Sequence, residues 1–200
     1  MKTRVGIIFG GRSGEHVISV RSAENVIGSL DTEKYDVIPI SIDRDGRWLG
    51  PSASASILGR EVSSLAENMH QIEIDAEVGM FGDPRTHGLT LTGVRDRGLS
   101  ELKLDVVFPV LHGTFGEDGT IQGLLDMAGI PYVGCGVLGS ACGMDKVVMK
   151  SLFHEAGLPM CKYLWFLRSD WENNRGSIIK RVDESLGYPC FAKPANLGSS

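Results

Sequence analysis

Short apolar strands, each followed by a glycine-rich turn and an amphipathic helix, recur along this chain and restrict its possible folds. Residues 4–9 form a nearly continuous apolar run, which is typical of a central parallel strand. A glycine turn and a helix with one apolar face follow it. The same order returns at residues 105–128. This repetition predicts crossover helices packed on a parallel sheet, the doubly wound α/β class.

The remaining elements are predicted from the same kinds of pattern. Residues 50–100 are rich in Ser, Gly and charge and are interpreted as variable edge structure. The rhythm changes near residue 135, which predicts one α/β domain over residues 1–134 and the start of a second over 135–200. Further expected elements are a strand at 36–42, a hairpin turn at Asp45-Gly46, a strand at 131–133, a glycine-rich loop at 134–143, a helix at about 149–156, a strand at 163–167, a helix at about 178–186, and a terminal strand at 190–193.

Composition and charge exclude several classes of partner. The net charge is −5 and no basic stripe is present, which argues against nucleic acid or an anionic membrane as the main partner. A membrane span requires about 20 consecutive apolar residues, and no apolar run in the sequence approaches this length. The N-terminus runs directly into a strand and lacks the pattern of a signal peptide. The four cysteines form no Cys-x-x-Cys pair, so we expect reduced, mostly buried thiols in the cytosol rather than a zinc site or disulfides.

Ligands of open parallel sheets bind at the carboxyl ends of the strands, so the loops there are the candidate sites. The first is Gly10–His16, which lacks the G-x-G-x-x-G spacing of a dinucleotide turn and so disfavours a generic NAD- or flavin-binding module. Glu15 lies at the mouth of this turn. Taken alone, Glu15 is interpreted as a first-turn residue stabilised by the helix dipole.

The second loop, His112–Thr120, carries a histidine and two acids. His112 at the end of a strand can donate a hydrogen bond to a carboxylate or a phosphate. Glu117 and Asp118 are compatible with an acid/base pair or a metal site, but capping of the following helix is the favoured interpretation. The sequence therefore predicts a ligand contact for His112 and a structural role for the acids.

Two lysines are candidates for binding phosphate. Lys146 stands in the first turn of a helix, where a cation opposes the dipole, so it is either a solvated surface lysine or one that neutralises phosphate. Lys193 interrupts the apolar terminal strand and needs an anion nearby. The Gly-Ser-Ser turn at 198–200 adds backbone N–H groups and hydroxyls, as a polyphosphate requires. We expect the chain to be the front part of a nucleotide-using enzyme, ending inside its nucleotide site.

Taken together, these segments resemble the D-alanine–D-alanine ligase family, whose second half is an ATP-grasp fold. The resemblance runs through FGGRSGEHVISVRSAENV, DVVFPVLHGTFGEDGTIQGLLDMAGIPYVGCGVLGSACGMDK and FAKPANLGSS, in the order and spacing of the family. It implies that a pre-ATP-grasp domain is followed by the start of an ATP-grasp domain. It also implies that ATP phosphorylates the carboxylate of a first D-alanine, and that the amine of a second D-alanine then attacks the acylphosphate.

The resemblance assigns roles to six residues. Glu15 is implied to hold the amino group of the first D-alanine, and His112 to line the same subsite. Lys146 and Lys193 are implied to contact the ATP phosphates. Ser199 is implied to be linked by hydrogen bonds to the glutamate and to a downstream tyrosine, and Ser200 to lie beside it in the phosphate loop.

The resemblance also implies features of the whole enzyme. It implies magnesium with ligands beyond Ser200, a cytoplasmic location, a homodimer, and a part in making peptidoglycan precursors. It leaves the second substrate open among D-alanine, D-lactate and D-serine. Glu172-Asn173-Asn174 superficially matches a metal triplet but is interpreted as helix capping, and no metal ligand is assigned. The alternative function is a non-catalytic remnant that binds or pairs but does not ligate, and we expect the 200-residue chain alone to be inactive.

Overall fold

The chain is described by a computed structural model over residues 2–59, 77–80, 84–86, 88–92 and 100–198. The strands are β1 Thr3–Gly10, β2 Tyr35–Ile42, β3 Trp48–Leu49, β4 Glu77–Met80, β5 Gly88–Thr92, β6 Ser100–Lys103 and β7 Val106–Pro109. The α-helices are α1 His16–Ser29, α2 Pro51–Ile57, α3 Thr120–Met127, α4 Val137–Met144, α5 Lys146–Glu155 and α6 Arg168–Ser185, and a short 3-10 helix spans Pro84–Thr86.

The sheet has a parallel centre and an antiparallel edge. Its strand order in the described residues is β6-β5-β4-β3-β2-β1-β7, and β1 lies parallel to both β2 and β7. The strands from β3 to β6 pair antiparallel with their neighbours. The predicted α/β class is confirmed, but the sheet is not wholly parallel. The short connection from β2 to β3 is the physical reason, because it closes a hairpin and leaves no room for a crossover helix.

The core lies on both faces of the parallel centre. Alternate residues of β1 point to opposite faces, so that Ile7 and Phe9 pack with Ala23 and Ile27 of α1. Ile8 faces the other side, where it joins a cluster with α3 residues that include Leu125. All six side chains are almost fully buried. Burial on both faces explains why β1 is an unbroken apolar run, and it fixes the end of β1 in space.

The predictions of one loop and two strands after residue 134 are wrong. The predicted loop at 134–143 contains α4, whose small side chains do not form the apolar stripe typical of a helix. Ser140 N–H donates to Gly136 C=O at 3.0 Å, the i to i−4 bond of a helix. The predicted strands at 163–167 and 190–193 do not form, because within 100–198 neither segment has a partner strand to complete a hydrogen-bonded ladder.

The polar triplet Glu172-Asn173-Asn174 lies inside α6 rather than at its start, so the capping prediction is wrong. The first turn is instead stabilised by Asp170, whose carboxylate accepts a hydrogen bond from Leu167 N–H at 2.9 Å. Asn174 has φ −148° and ψ 49° and interrupts the helical geometry. The helix is therefore kinked at Asn174, the last residue of the triplet.

The four cysteines are free in the structure, and the prediction that they are mostly buried is wrong. Cys135, Cys161 and Cys190 are exposed and Cys142 is half-buried. All four cysteines follow residue 134. In that part of the described chain the only buried apolar side chains are Met144 and Ile178, so there is little core in which a thiol could be buried.

Among the described residues, none of the helices combines the length and the apolar composition needed to cross a bilayer.

Candidate functional site

Three segments converge at the carboxyl ends of β1 and β7. They are the first loop (residues 11–15), the second loop (112–119) and the terminal segment (195–198). The first two follow neighbouring parallel strands, so they share one edge of the sheet. The terminal segment reaches this edge from a distant part of the sequence, and the N-terminus of α5 lies beside it.

Two serine hydroxyls fix the first loop against β7 and the second loop. Ser19 is completely buried and donates to Val110 C=O, while its oxygen accepts from Gly10 N–H at 2.8 Å. Ser13 Oγ donates to His112 C=O at 2.7 Å and accepts from Glu15 N–H at 3.2 Å. These contacts hold the backbone on either side of Glu15, so the position of its carboxylate is set by the sheet.

The Glu15 carboxylate lies where the three segments meet. A Cβ atom added to Gly113 would lie 2.7 Å from Glu15 Oε2, and one added to Gly198 would lie 2.6 Å from the same oxygen. Both glycines have positive φ, +70° and +59°, which side chains rarely adopt. Glycine at these two positions therefore allows the loop backbones to approach the carboxylate closely.

The acids of the second loop hold its backbone. Glu117 Oε2 accepts from Gly113 N–H at 2.7 Å. Asp118 accepts from Phe115 N–H at 2.9 Å and from Thr120 N–H at 3.0 Å, next to the start of α3. Burial raises the pKa of Asp118, but hydrogen bonds from Thr120 and Phe115 outweigh it and leave this pKa below its ordinary value. The predicted capping of the following helix is wrong for Glu117, which binds the backbone of its own loop, whereas Asp118 does bind the N–H of Thr120, the first residue of α3.

A cation and an aromatic ring close the outer side of the two loops. The Arg12 guanidinium carbon lies 4.6 Å from the centre of the Phe115 ring. Phe115 has φ 69°, which is uncommon for a residue with a bulky side chain, and 42% of it is exposed. Gln122 of α3 anchors the same loop from beneath, because its Nε2 donates to Gly116 C=O at 2.9 Å.

The His112 ring is oriented by α1. Its Nε2 lies 3.0 Å from Ser22 Oγ, a contact between residues that are 90 positions apart. Among the described residues, Nδ1 of His112 has no hydrogen-bond partner. The ring is therefore fixed through one nitrogen, and the other can meet a ligand.

Lys146 is the first residue of α5, as predicted, and it contacts the terminal segment. Its Nζ donates to Gly198 C=O at 2.8 Å, and its backbone N–H donates to Ala195 C=O at 3.0 Å. Asp145 caps the helix by accepting from Val147 N–H and Val148 N–H. Its second oxygen accepts from Asn196 Nδ2 at 3.0 Å. The N-terminus of α5 and the terminal segment thus form one hydrogen-bonded unit.

We expect Asp145→Asn to lower the free energy of unfolding above about pH 4 and to have little effect below it. Bonds from Val148 N–H, Val147 N–H and Asn196 hold the Asp145 pKa below its ordinary value of 3.8. A carboxyl whose pKa falls on folding adds stability that is complete above the unfolded pKa and is lost as pH falls through the folded one. Urea titrations across this range measure the effect, which we expect to be under about 1 kcal/mol because the side chain is partly exposed. A difference that does not vary with pH would contradict it.

The other candidate residues lie in or next to the terminal segment. Lys193 is exposed on a stretch that forms neither helix nor strand, so the predicted buried-strand environment of this lysine is wrong. Its neighbour Phe191 is also exposed. Ser199 and Ser200 lie outside the described residues, directly after Gly198. The structure therefore brings together Glu15, the backbone next to His112, and Lys146.

The described residues do not form a metal site. No group of three or more His, Cys, Asp or Glu side chains within them is placed to hold an ion. A cleft of about 320 Å³ opens at the ends of β1 and β2, lined by Gly10, His16, Ser41 and Asp43 among others. Glu15, His112 and Lys146 do not line it, so the three converging segments form an open surface distinct from this cleft.

Comparisons with known proteins extend over the same segments. The family model described as the D-ala D-ala ligase N-terminus matches residues 4–135, and the one described as the D-ala D-ala ligase C-terminus matches residues 152–200. The chain belongs to the D-alanine–D-alanine ligase family. Both loops of the site lie within the first match, and the terminal segment lies within the second.

Relatives of this ligase family match over the whole chain. The D-alanine–D-alanine ligases of Natranaerobius thermophilus and Heliobacterium modesticaldum are each 46% identical to it, over 199 and 202 residues. Each match covers 100% of this chain and 52% of the relative. The chain thus spans about half the length of the curated relatives it matches.

Solved structures of family members have the same fold. The VanG D-Ala:D-Ser ligase of Enterococcus faecalis matches with a TM-score of 0.76 and 34% identity, over 100% of this chain and 54% of that one. The D-alanine–D-alanine ligase of Coxiella burnetii also gives a TM-score of 0.76, with 31% identity over 100% and 53% of the two chains. The predicted fold class and family are therefore confirmed.

Sequence reasoning missed the hydroxyls and the amide that position the site. Ser13, Ser19 and Ser22 bind partners 90 or more positions away, and Gln122 binds the second loop. A signal was present, because Ser19 and Ser22 are three residues apart and so lie on the same side of a helix. Small polar residues on the face that also carries Ala23 indicate hydroxyls directed toward the sheet rather than toward solvent.

Proposed function

We propose that the protein containing this chain is an ATP-dependent ligase that joins two D-alanines into D-alanyl-D-alanine for peptidoglycan precursors. The observation that carries this proposal is the convergence of Glu15, the second loop and the terminal segment in a chain of this family. The curated relatives named D-alanine–D-alanine ligases support D-alanine as the second substrate. The chemistry requires the whole length of such a ligase.

The first D-alanine binds at Glu15 in this proposal. Its ammonium group pairs with the Glu15 carboxylate, which lies against the backbone of Gly113 and Gly198. Its carboxylate then faces the His112 side of the second loop, where an imidazole N–H can donate a hydrogen bond. Ser199 directly follows Gly198, so it is placed in the sequence to link Glu15 to the phosphate loop.

The reaction proceeds in two displacements. An oxygen of the first D-alanine carboxylate attacks the γ-phosphorus of ATP, the bond to the β-γ bridging oxygen breaks, and ADP leaves. The amine of the second D-alanine then attacks the acylphosphate carbonyl carbon, loses a proton, and expels phosphate. A carboxylate is a poor electrophile until its oxygen becomes part of this leaving group.

Cations reduce the cost of bringing phosphate to the site. Lys146 uses one of its three N–H donors on Gly198 C=O and retains two for phosphate oxygens. Lys193 and Ser200 complete the phosphate contacts in this proposal. Magnesium accompanies ATP in the proposal, although no group of three or more His, Cys, Asp or Glu side chains among the described residues is placed to hold it.

The remaining features of the proposal concern the whole enzyme. We place a substrate-binding domain at residues 1–134 and the start of an ATP-grasp domain at 135–200. We further propose a cytoplasmic homodimer whose partners are D-alanine and ATP, without nucleic acid or membrane. The net charge of −5 supports the exclusion of nucleic acid.

We expect Glu15→Gln in the protein at its full natural length to raise the KM for the first D-alanine by at least about tenfold. Gln keeps the size of the side chain but removes the charge that pairs with the ammonium group, and a hydrogen bond between charged groups contributes about 1.5–3 kcal/mol. The KM for ATP should change much less. Steady-state kinetics with each substrate varied in turn measure both values.

Glu24→Gln is the matched control for this experiment. Glu24 lies on the same helix α1, and its carboxylate accepts from Gly59 N–H at 2.8 Å, away from the three converging segments. We expect its kinetics to equal those of the wild type. If Glu15→Gln raises the KM for ATP and leaves that for D-alanine unchanged, the role assigned to Glu15 is wrong.

A further inference from the structure

Helix α1 contacts the candidate site through a hydrogen bond between Ser22 and His112, in addition to its packing on the sheet. Ser22 Oγ lies 3.0 Å from His112 Nε2, and the two residues come from α1 and from the end of β7. A serine on a helix usually contacts solvent or its own helix backbone. Here the partner of the Ser22 hydroxyl is an imidazole nitrogen at the candidate site.

We propose that Ser22 is a positioning residue that holds His112 in its Nδ1–H tautomer, so that Nδ1–H donates to the carboxylate of the first substrate. This inference rests on the proposed function for the identity of that substrate. In a neutral imidazole one nitrogen carries the proton and the other accepts, and the partner of one nitrogen sets the state of the other. A hydroxyl that donates to Nε2 therefore leaves the proton on Nδ1.

The other direction of the hydrogen bond fits the site less well. If Nε2–H donated to Ser22 Oγ, Nδ1 would carry a lone pair, and a lone pair facing a substrate carboxylate would be repulsive. Nδ1 has no hydrogen-bond partner among the described residues, so it is the nitrogen left to meet a ligand. A donor at Nδ1 suits a carboxylate, whose oxygens accept only.

Hydrogen bonds on both sides of His112 hold its backbone in place. His112 C=O accepts from Ser13 Oγ at 2.7 Å, and Gly113 N–H donates to Glu117 Oε2 at 2.7 Å. With the backbone held on both sides, the side chain keeps only its own rotations. The Ser22 hydroxyl restricts those rotations. Its loss should therefore change the orientation and tautomer of the ring, and leave the loop backbone in place.

Long-range proton–nitrogen correlation spectra of the histidine rings test this proposal in the protein at its full natural length. Spectra are taken without substrate at about pH 8, where free imidazole is neutral. The His112 signals are assigned by their loss in His112→Gln. We expect protonated Nδ1 and unprotonated Nε2 in the wild type and in Ser22→Thr, which keeps a hydroxyl. Ser22→Ala should show Nε2 protonated or both tautomers in exchange.

Kinetics provide the second measurement. Ser22→Ala should raise the KM for the first D-alanine by about tenfold, with the KM for ATP unchanged, and Ser22→Thr should restore most of the loss. The control is Ser29→Ala, which removes a hydroxyl of the same helix that bonds only to Asn25 C=O in the described structure. Its spectra and kinetics should match those of the wild type.

The wild-type spectrum is decisive even if Ser22→Ala does not fold. A wild-type His112 with its proton on Nε2 overturns the proposal, as does an unchanged tautomer in a folded Ser22→Ala. An enzyme without D-alanine ligase activity but with the expected tautomer and the expected Ser22→Ala change would contradict the proposed function and leave the positioning role of Ser22 standing.

Discussion

Gly113→Ala should reduce kcat/KM for the first D-alanine by at least about a hundredfold in the protein at its full natural length. The residue has φ +70°, where an alanine costs roughly 1–2 kcal/mol. The new Cβ would also lie 2.7 Å from Glu15 Oε2, closer than nonbonded atoms approach. Either the second loop or the Glu15 carboxylate must shift. A displacement of about 1 Å in a substrate-positioning group is enough for a loss of this size.

Gly157→Ala is the control that separates the effect of the Cβ contact with Glu15 from the effect of backbone strain at positive φ. Gly157 has φ +69°, almost the same value, but no described atom lies within 4 Å of the Cβ that alanine would add. Because alanine is strained at positive φ, both variants should lose a comparable free energy of unfolding, which urea titration measures. Gly157→Ala should keep its activity. Near-normal D-alanine kinetics in a folded Gly113→Ala would contradict the prediction that the close approach of Gly113 to Glu15 is needed for the reaction.

The elements that could be predicted from the sequence are those whose pattern is set by burial alone. β1 is apolar along its length because both of its faces are covered, and α1 follows as a helix with one buried face. Because the end of β1 and the start of α1 could both be predicted, the first loop between them could be located as a candidate site. The position of Lys146 at the start of α5 also followed from local pattern.

Elements that depend on a distant partner could not be predicted in the same way. Residues 163–167 and 190–193 have the composition of strands, but a strand exists only with a paired neighbour, and pairing cannot be deduced from one segment. The predicted hairpin at Asp45-Gly46 is confirmed by the antiparallel pairing of β2 with β3, but the antiparallel strands β4 to β6 were not predicted, for the same reason. α4 was missed because glycine, serine and alanine give no helical apolar stripe, although its backbone bonds are helical.

The candidate site shows the same division. His112 could be selected from its place at the end of a strand, but the roles of Glu15 and Lys146 came only from the resemblance to the ligase family, because each also fits a local role at the start of a helix or on the surface. The approach of Gly198 to Glu15 joins residues that are 183 positions apart, and no local pattern predicts it. The serine contacts were missed for the same reason, since a hydroxyl in a sequence does not show which distant backbone group it will bind.

Lys146→Met should weaken ATP binding by roughly 2–4 kcal/mol, about 30- to 1000-fold in Kd, in the protein at its full natural length. Methionine keeps the bulk of the side chain and removes the cation that we propose binds phosphate. It also removes the hydrogen bond from Nζ to Gly198 C=O, so the terminal segment loses one of its contacts with α5. Calorimetric titration with ATP measures the change.

We expect Lys146→Met to lose ATP binding without losing stability. A cation at the first residue of α5 opposes the helix dipole, so removing it gains about 0.3–1 kcal/mol. The lost hydrogen bond to Gly198 costs a similar amount, so stability should remain close to that of the wild type. Lys150→Met is the control, because Lys150 lies on the same helix with its Nζ 4.9 Å from the centre of the Tyr163 ring. If both variants bind ATP equally well, Lys146 has no part in holding phosphate.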